Sequence, residues 1–261
     1  MNDDDIRGSI RDEIFQAGTA RGRWYAEYLG LSYRLAVEMG LALVERTPPA
    51  VLKTDLWNEC LGGSRDILGH LDARGSSRLF GLDISHAVCA GGRSRVPGAH
   101  VVQADITALP FRTGSLDAVV DLSTLDHLSE AGVAQAIGEY RRVLRDRGVL
   151  LVVFWQRNLM VRLRLLCKRL LGRGEKADQQ YFALGDVRAA FGGGLAVVDE
   201  FVVGLLLVLP HTLTGGVLSL VPAERLTRFL QWLVKLEHAR AARPLLRHLA
   251  GLYGIVAIRR R

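Results

Sequence analysis

The chain of 261 residues carries 34 Lys and Arg against 27 Asp and Glu, a formal charge of +7, with 49% hydrophobic and 23% charged residues. That balance excludes wholesale disorder and suits one α/β domain, alone or with a small elaboration. It admits contact with polyanions or anionic lipid, but few aromatics interleave with the arginines, which weighs against nucleic acid as partner. Cys60, Cys89 and Cys167 are far apart and show no metal-ligand spacing, so they read as reduced thiols of a cytoplasmic chain with no bound metal. The acidic start, Met1 to Asp5, lacks the basic and then apolar pattern of a signal peptide. The most apolar run, 202–221, is broken by Pro210, His211 and Gly215-Gly216, and reads as buried strand plus lid rather than a membrane span.

In chain order, residues 10–46 predict two helices, the first with Trp24, Tyr25, Tyr28 and Leu29, the second from Tyr33 to Leu43, ended by Pro48 and Pro49. Seven β-type runs follow at 50–55, 78–83, 100–105, 116–122, 148–155, 195–203 and 253–259. Between them lie helical stretches at 64–73, from Ser85 to Pro97-Gly98, at 130–145 with Ser129 as N-cap, at 158–173, at 184–191 and over most of 205–250. This alternation predicts an α/β, Rossmann-like, seven-stranded, mainly parallel sheet with helices on both faces. Residues 1–48 would form an N-terminal helical lid, and 205–250 a helical insertion between strands six and seven, inside a domain spanning 49–261.

Ligands of such sheets lie over the carboxyl ends of the strands. Asp83 closes the second strand, where an acid can accept from both ribose hydroxyls of a nucleoside, with Ile84 next to it. Asp105 closes the third, placed to accept from an adenine amino group while Ile106 packs on the ring.

The stretch Leu109-Pro110-Phe111-Arg112-Thr113-Gly114-Ser115-Leu116-Asp117-Ala118-Val119 is similar to the LPF-x-x-G-S-F-D-x-V signature of class I S-adenosylmethionine-dependent methyltransferases of the UbiE/methyltransferase-11 type. Arg142-Val143-Leu144-Arg145-Asp146-Arg147-Gly148-Val149-Leu150 resembles that family's R-V-L-x-P-G-G-x-L element, with Asp146-Arg147 where Pro-Gly is usual. The likeness covers roughly 50–155. The first loop departs from it. Where the family has Gly-x-Gly-x-Gly, this chain has Leu52-Lys53-Thr54-Asp55-Leu56-Trp57-Asn58-Glu59, resembling a bacterial subset that also has a Ser-Thr-Leu-Asp-His element, here Ser123 to His127.

The resemblance implies S-adenosylmethionine as cofactor, held by Asp55, Glu59, Asp83, Ile84, Asp105, Ile106 and Ser123. In it Asp55 and Glu59 take the cofactor's amino group in place of backbone contacts. Asp126 and His127, just past the fourth strand, are the candidate catalytic pair, with His127 as a base oriented by Asp126. Trp24, Tyr25 and Tyr28 are candidate walls for the acceptor. Leu159, Leu163, Leu166 and Leu170 share one helical face and Arg162, Arg169 and Arg173 another, so 158–173 reads either as an ordinary amphipathic lid or as a peripheral contact with anionic membrane. The expected function is methyl transfer to an O or N atom of a small, amphiphilic or lipid-linked metabolite. The alternatives are a protein that keeps the fold without the chemistry and, further off, a nucleic-acid methyltransferase, whose Asn/Asp-Pro-Pro-Tyr/Phe motif has no counterpart after the fourth strand.

Overall fold

A computed structural model describes residues 20–46, 49–75, 78–170, 180–208, 220–240 and 242–261, with no side chain described for 20–23, 168 and 207–208. The seven strands are β1 (Ala50–Thr54), β2 (Arg78–Asp83), β3 (Ala99–Gln103), β4 (Leu116–Leu122), β5 (Leu144–Trp155), β6 (Leu195–Val203) and β7 (Leu252–Arg259). They form one sheet in the order β3-β2-β1-β4-β5-β7-β6. Only β7 is reversed: it pairs antiparallel with both β5 and β6. The strand order turns between β1 and β4, so their carboxyl ends form the switch point at which such sheets take ligands.

The described helices are α1 (Ala20–Leu41), α2 (Trp57–Leu61), α3 (Ile67–Asp72), α4 (His86–Arg95), α5 (Glu130–Val143), α6 (Leu159–Leu170), α7 (Leu184–Phe191), α8 (Ala223–His238) and α9 (Arg243–Leu246). Alternation along the central strands sorts the core into two layers. Val51, Val120 and Leu151 meet α1, α4 and α8, while Leu52, Val119 and Leu150 meet α5 and α7. A register shift between Leu116 and Ala118 sends Leu116 to the α5 side, where a plain period of two would put it beside Ala118 and Val120.

The motifs that carry the family likeness are scaffold. Gly114 makes its turn at φ 65°, in the left-handed region that glycine enters at no steric cost. Arg142 donates to the Leu109 and Phe111 carbonyls at 2.8 Å, and Glu139 accepts the Leu109 amide at 2.7 Å, so α5 clamps the Leu-Pro-Phe segment. Asp117 accepts the Ala50 amide at 2.7 Å and pairs with Arg145 at 2.9 Å, tying the start of β1 to the next motif. Arg147, where the family has glycine, keeps the glycine conformation at φ 62°.

The N-terminal region corrects one expectation. Residues 20–41 form one helix, not two; 1–19 lie outside the described residues. Gly30, between the two expected helices, is the site of a close approach: a Cβ there would stand 2.1 Å from the Ser64 carbonyl oxygen. The described part of 1–48 is packed into the fold. Trp24, Tyr28, Tyr33, Ala36 and Val37 are buried, and α1 lies on β4 and β5 beside α8. In the expected insertion, α8 likewise packs on α1 and β6; residues 209–219 lie outside the described residues. Among the described residues no helix is long and apolar enough to cross a membrane.

Polar side chains seal the α1–α8 contact. Tyr28 donates its hydroxyl to Glu237, which also accepts the Leu205 amide at 2.7 Å. Ser32 Oγ lies 2.9 Å from His238 Nε2, and the His238 ring stacks on Phe201. Burial pushes the Glu237 carboxyl from 4.5 up to about 8, and burial pulls His238 from 6.5 down to about 4 against the opposing pull of Asp199. The two act on stability in opposite senses. The folded chain holds the Glu237 proton more tightly than the unfolded chain does, so this stability is lost as pH rises from 4.5 to about 8. His238 contributes stability that is gained as pH rises from about 4 to 6.5. Above pH 6.5 only the Glu237 effect remains, and stability is expected to fall by about 2 kcal/mol by pH 8. Urea titrations across that window should show the fall in the natural chain and its absence in Glu237→Gln. A flat profile in the natural chain would contradict the assignment.

Candidate active site

The switch point is built from residues in unusual conformations. Asp55, just past β1, and Ser123, just past β4, both hold positive φ, 62° and 69°. Neither is glycine, so each costs on the order of 1 kcal/mol, and such strain gathers at ligand sites. Asp55 is held by its own side chain, Oδ1 accepting the Trp57 amide at 2.8 Å.

Beneath it runs a buried ion pair. Lys53 is 1% exposed and Glu59 0%, with Nζ 3.1 Å from Oε2. Lys53 also donates to the Thr54 carbonyl at 3.2 Å and to the Asp55 carbonyl. Burial alone would lower the Lys53 pKa, but Glu59, Asp55 and Asp83 together hold it above the ordinary value. Burial raises Glu59 despite Lys53. Glu59 Oε1 accepts the Ile67 and Leu68 amides at 3.1 and 3.2 Å, capping α3 beside Asp66, the N-cap. Glu59 was expected to hold the cofactor's amino group. The structure instead buries it and uses both of its oxygens to fix the first loop.

Asp83 is half-buried at the end of β2. Its Oδ2 accepts the Leu56 amide at 2.9 Å and its Oδ1 the Ser85 amide at 2.8 Å, so it braces the β1 loop across the rim. Each carboxylate oxygen has a second lone pair. Burial, then the Asp55 charge, lifts this carboxyl above its ordinary value. Ile84 beside it is 69% exposed, an apolar side chain open on the rim. Strand β3 ends at Gln103, two residues short of the expected end; Asp105 is exposed in the following turn, where Oδ1 accepts from the Thr107 amide and hydroxyl, both at 2.8 Å. Ile106 is buried.

The expected catalytic pair separates. Asp126 is fully buried; its Oδ1 accepts the Trp155 amide at 2.9 Å, which pins the turn after β4 to the end of β5. Burial raises its carboxyl well above the ordinary range. Its Oδ2 and the Ser123 Oγ are buried with no hydrogen-bond partner among the described residues. His127 is exposed. The expected acceptor walls also change place. Trp24 and Tyr28 sit in the core and Tyr25 is half-buried against it, because residues four apart share the buried face of α1.

Sequence reasoning missed Lys53, Asp121 and Tyr140. Asp121 is fully buried and takes the Tyr140 hydroxyl at 2.6 Å and the Thr124 amide at 2.9 Å; Thr124 Oγ1 in turn lies 2.8 Å from Thr54 Oγ1. The available signal was a charge inside a strand buried on both faces, which requires a partner.

The strand order, the reversed β7 and the ligand rim at the β1/β4 switch point define a Rossmann-like methyltransferase fold. Residues 60–152 match the family model described as a methyltransferase domain. A protein of Mycolicibacterium smegmatis described as a probable S-adenosylmethionine-dependent methyltransferase is 31% identical over 129 residues, covering 41% of this chain and 49% of that protein. One of Mycobacterium tuberculosis, described in the same words, is 35% identical over 75 residues, covering 29% and 27%. The chain thus spans about half or less of the length of these curated relatives. Among solved structures, geranyl diphosphate C-methyltransferase from Streptomyces coelicolor, in complex with geranyl diphosphate and S-adenosyl-L-homocysteine, superposes with a TM-score of 0.56 at 14% identity over 85% of this chain and 77% of that one. The (4+2)-cyclase SpnF superposes at 0.52 with 18% identity over 87% and 80%. These likenesses establish the fold.

Proposed function

We propose that this chain is an S-adenosylmethionine-dependent methyltransferase that methylates an O or N atom of a small metabolite with an apolar part. The observation that carries the reading is the rim itself: Asp83 half-buried beside the open Ile84, both inside the segment 60–152 that matches a methyltransferase domain, with the strained Asp55 of the preceding loop beside them. The residues fit the cofactor, since an acid with spare lone pairs and an exposed apolar side chain suit a ribose and an adenine. Asp83 would accept the ribose hydroxyls, Asp105 the adenine amino group, and Ile84 and Ile106 would flank the ring. Asp55 would take the ammonium, with Glu59 acting through the loop. When bound, the cofactor supplies an electrophilic methyl group on its sulfonium.

The protein's own contribution is alignment and exclusion of water. Ser123 and Asp126 shape the turn after β4, and His127 on its exposed side is the candidate base for an acceptor that arrives protonated. Trp24 and Tyr28 support this region from the core, leaving Tyr25 as the aromatic nearest to an acceptor role. An amphiphilic acceptor is supported by the geranyl diphosphate held in the Streptomyces structure, and by the apolar-basic surface of 158–170. That surface also supports a cytoplasmic enzyme with a peripheral membrane contact.

The second reading, a fold without methyl transfer, draws on the glycine-poor first loop and on the cyclase that shares the fold. Calorimetry decides between them at the first step. S-adenosylhomocysteine is expected to bind with one site per chain, and NAD to give no heat. No heat from either ligand would support the second reading.

A further inference from the structure

Helix α6 was read either as an ordinary amphipathic lid or as a peripheral membrane contact, and the structure leaves its leucine face open. Leu159, Leu163, Leu166 and Leu170 are 63%, 44%, 52% and 77% exposed, while Val161 is buried. Arg162 and Arg169 are exposed along the same helix, and the Arg164 guanidinium lies over the Trp155 ring at 5.3 Å. A second segment joins this surface. Asn158, which leads into α6, donates to the Arg247 carbonyl at 3.3 Å and the Ala250 carbonyl at 2.7 Å. That contact brings the α9 region alongside, with Leu245 71% exposed, and with Leu249, Arg247 and His248 also exposed.

Neither 159–170 nor 242–250 contains a single acidic residue. Both segments stand at the same end of the sheet, since Trp155 pairs with Leu252. That end is the rim of carboxyl ends described above. Exposed leucines interleaved with arginines, with no acid among them, complement a surface that is apolar below and anionic above.

We infer that α6 and the α9 region together dock the protein on an anionic phospholipid bilayer, with the leucines in the acyl boundary and Arg162, Arg169 and Arg247 among the headgroups. A protein partner with an apolar groove would need its own acidic border; a lipid leaflet supplies both features at once. The docked rim opens toward the membrane. On the methyltransferase reading, on which this consequence rests, the acceptor is drawn from the leaflet.

The test uses the whole chain with sedimented vesicles of phosphatidylcholine alone or mixed equally with phosphatidylglycerol. The chain is expected to sediment with the mixed vesicles and not with phosphatidylcholine. Leu163→Asp with Leu166→Asp should abolish this. Arg162→Gln with Arg247→Gln should weaken partitioning by roughly tenfold or more. S-adenosylhomocysteine affinity, measured on each variant, should stay unchanged, which also shows that they fold. Sedimentation that survives the leucine substitutions would mean charge attraction alone and overturn the proposal. So would failure to sediment, or a doubled mass in solution abolished by the same substitutions, which would make the face a contact between two copies. Loss of cofactor binding in the natural chain with vesicle binding intact would sink the methyltransferase reading and leave the docking surface standing.

Discussion

Lys53→Met is expected to destabilise the protein by about 3–5 kcal/mol, the usual consequence of removing one partner from a buried ion pair. The pair is dry, at 1% and 0% exposure, so the stranded Glu59 has no water to turn to. It would stay bound to the Ile67 and Leu68 amides and take up a proton. Adding Glu59→Gln removes the stranded charge while its amide oxygen can still accept those two amides, so the double variant should recover part of the loss. Urea unfolding of the two single variants and the double variant gives the coupling energy directly. A loss below about 1 kcal/mol in Lys53→Met would show that the pair tolerates disruption and that the first loop is held by other contacts. The size of the effect matters because Lys53 also donates to the Asp55 carbonyl, beside the rim.

The second large effect is expected at Asp83. Two ribose hydroxyls donating to a carboxylate are each worth about 1.5–3 kcal/mol, so loss of either lowers affinity about tenfold or more. Asp83→Ala would also strip acceptors from the Leu56 and Ser85 amides, so fold and site would change together. Asp83→Asn is the cleaner variant, since one oxygen remains for an amide. Calorimetry should show S-adenosylhomocysteine bound at least tenfold more weakly by the folded Asn variant. A 2′,3′-dideoxy analogue should lose much less on the same substitution. Equal losses for the two ligands would mean that Asp83 serves the loop and not the ribose.

The strands were legible because each is a short, nearly continuous apolar run bounded by turn residues. The bounds of β2, β4 and β6 agree with the expectation, and β5 differs only where Leu144 to Arg147 extend it backward. Asp83 was legible for the same reason, as the polar end of an apolar run, whereas Asp105 lies two residues past the end of β3. What sequence could not show was who their neighbours are. Glu59 looked free beside a glycine-poor loop, and only the fold brings the amides of α3 to it. Tyr28 read as a candidate wall for the acceptor because its partner, Glu237, lies 209 residues away. Asp126 and His127 are adjacent in sequence, but the end of β5 claims the first and leaves the second at the surface. The leucine face of α6 has the periodicity of a core helix, and periodicity alone cannot say whether anything packs on it.

The reversed β7 has a consequence for how the molecule is made. It is the last strand in chain order, yet it sits between β5 and β6. During synthesis β5 emerges about a hundred residues earlier, carrying Val149 to Trp155 with one edge open until β7 arrives. At ordinary rates of elongation that interval lasts roughly 5–20 seconds. An apolar strand waiting that long with unpaired amides is a template for wrong partners, a neighbouring nascent chain among them. The sheet is thus most exposed to wrong pairing in the interval before β7 emerges. Chaperones that linger on exposed strands would find their substrate here, on a protein whose finished form closes that edge with seven register pairs.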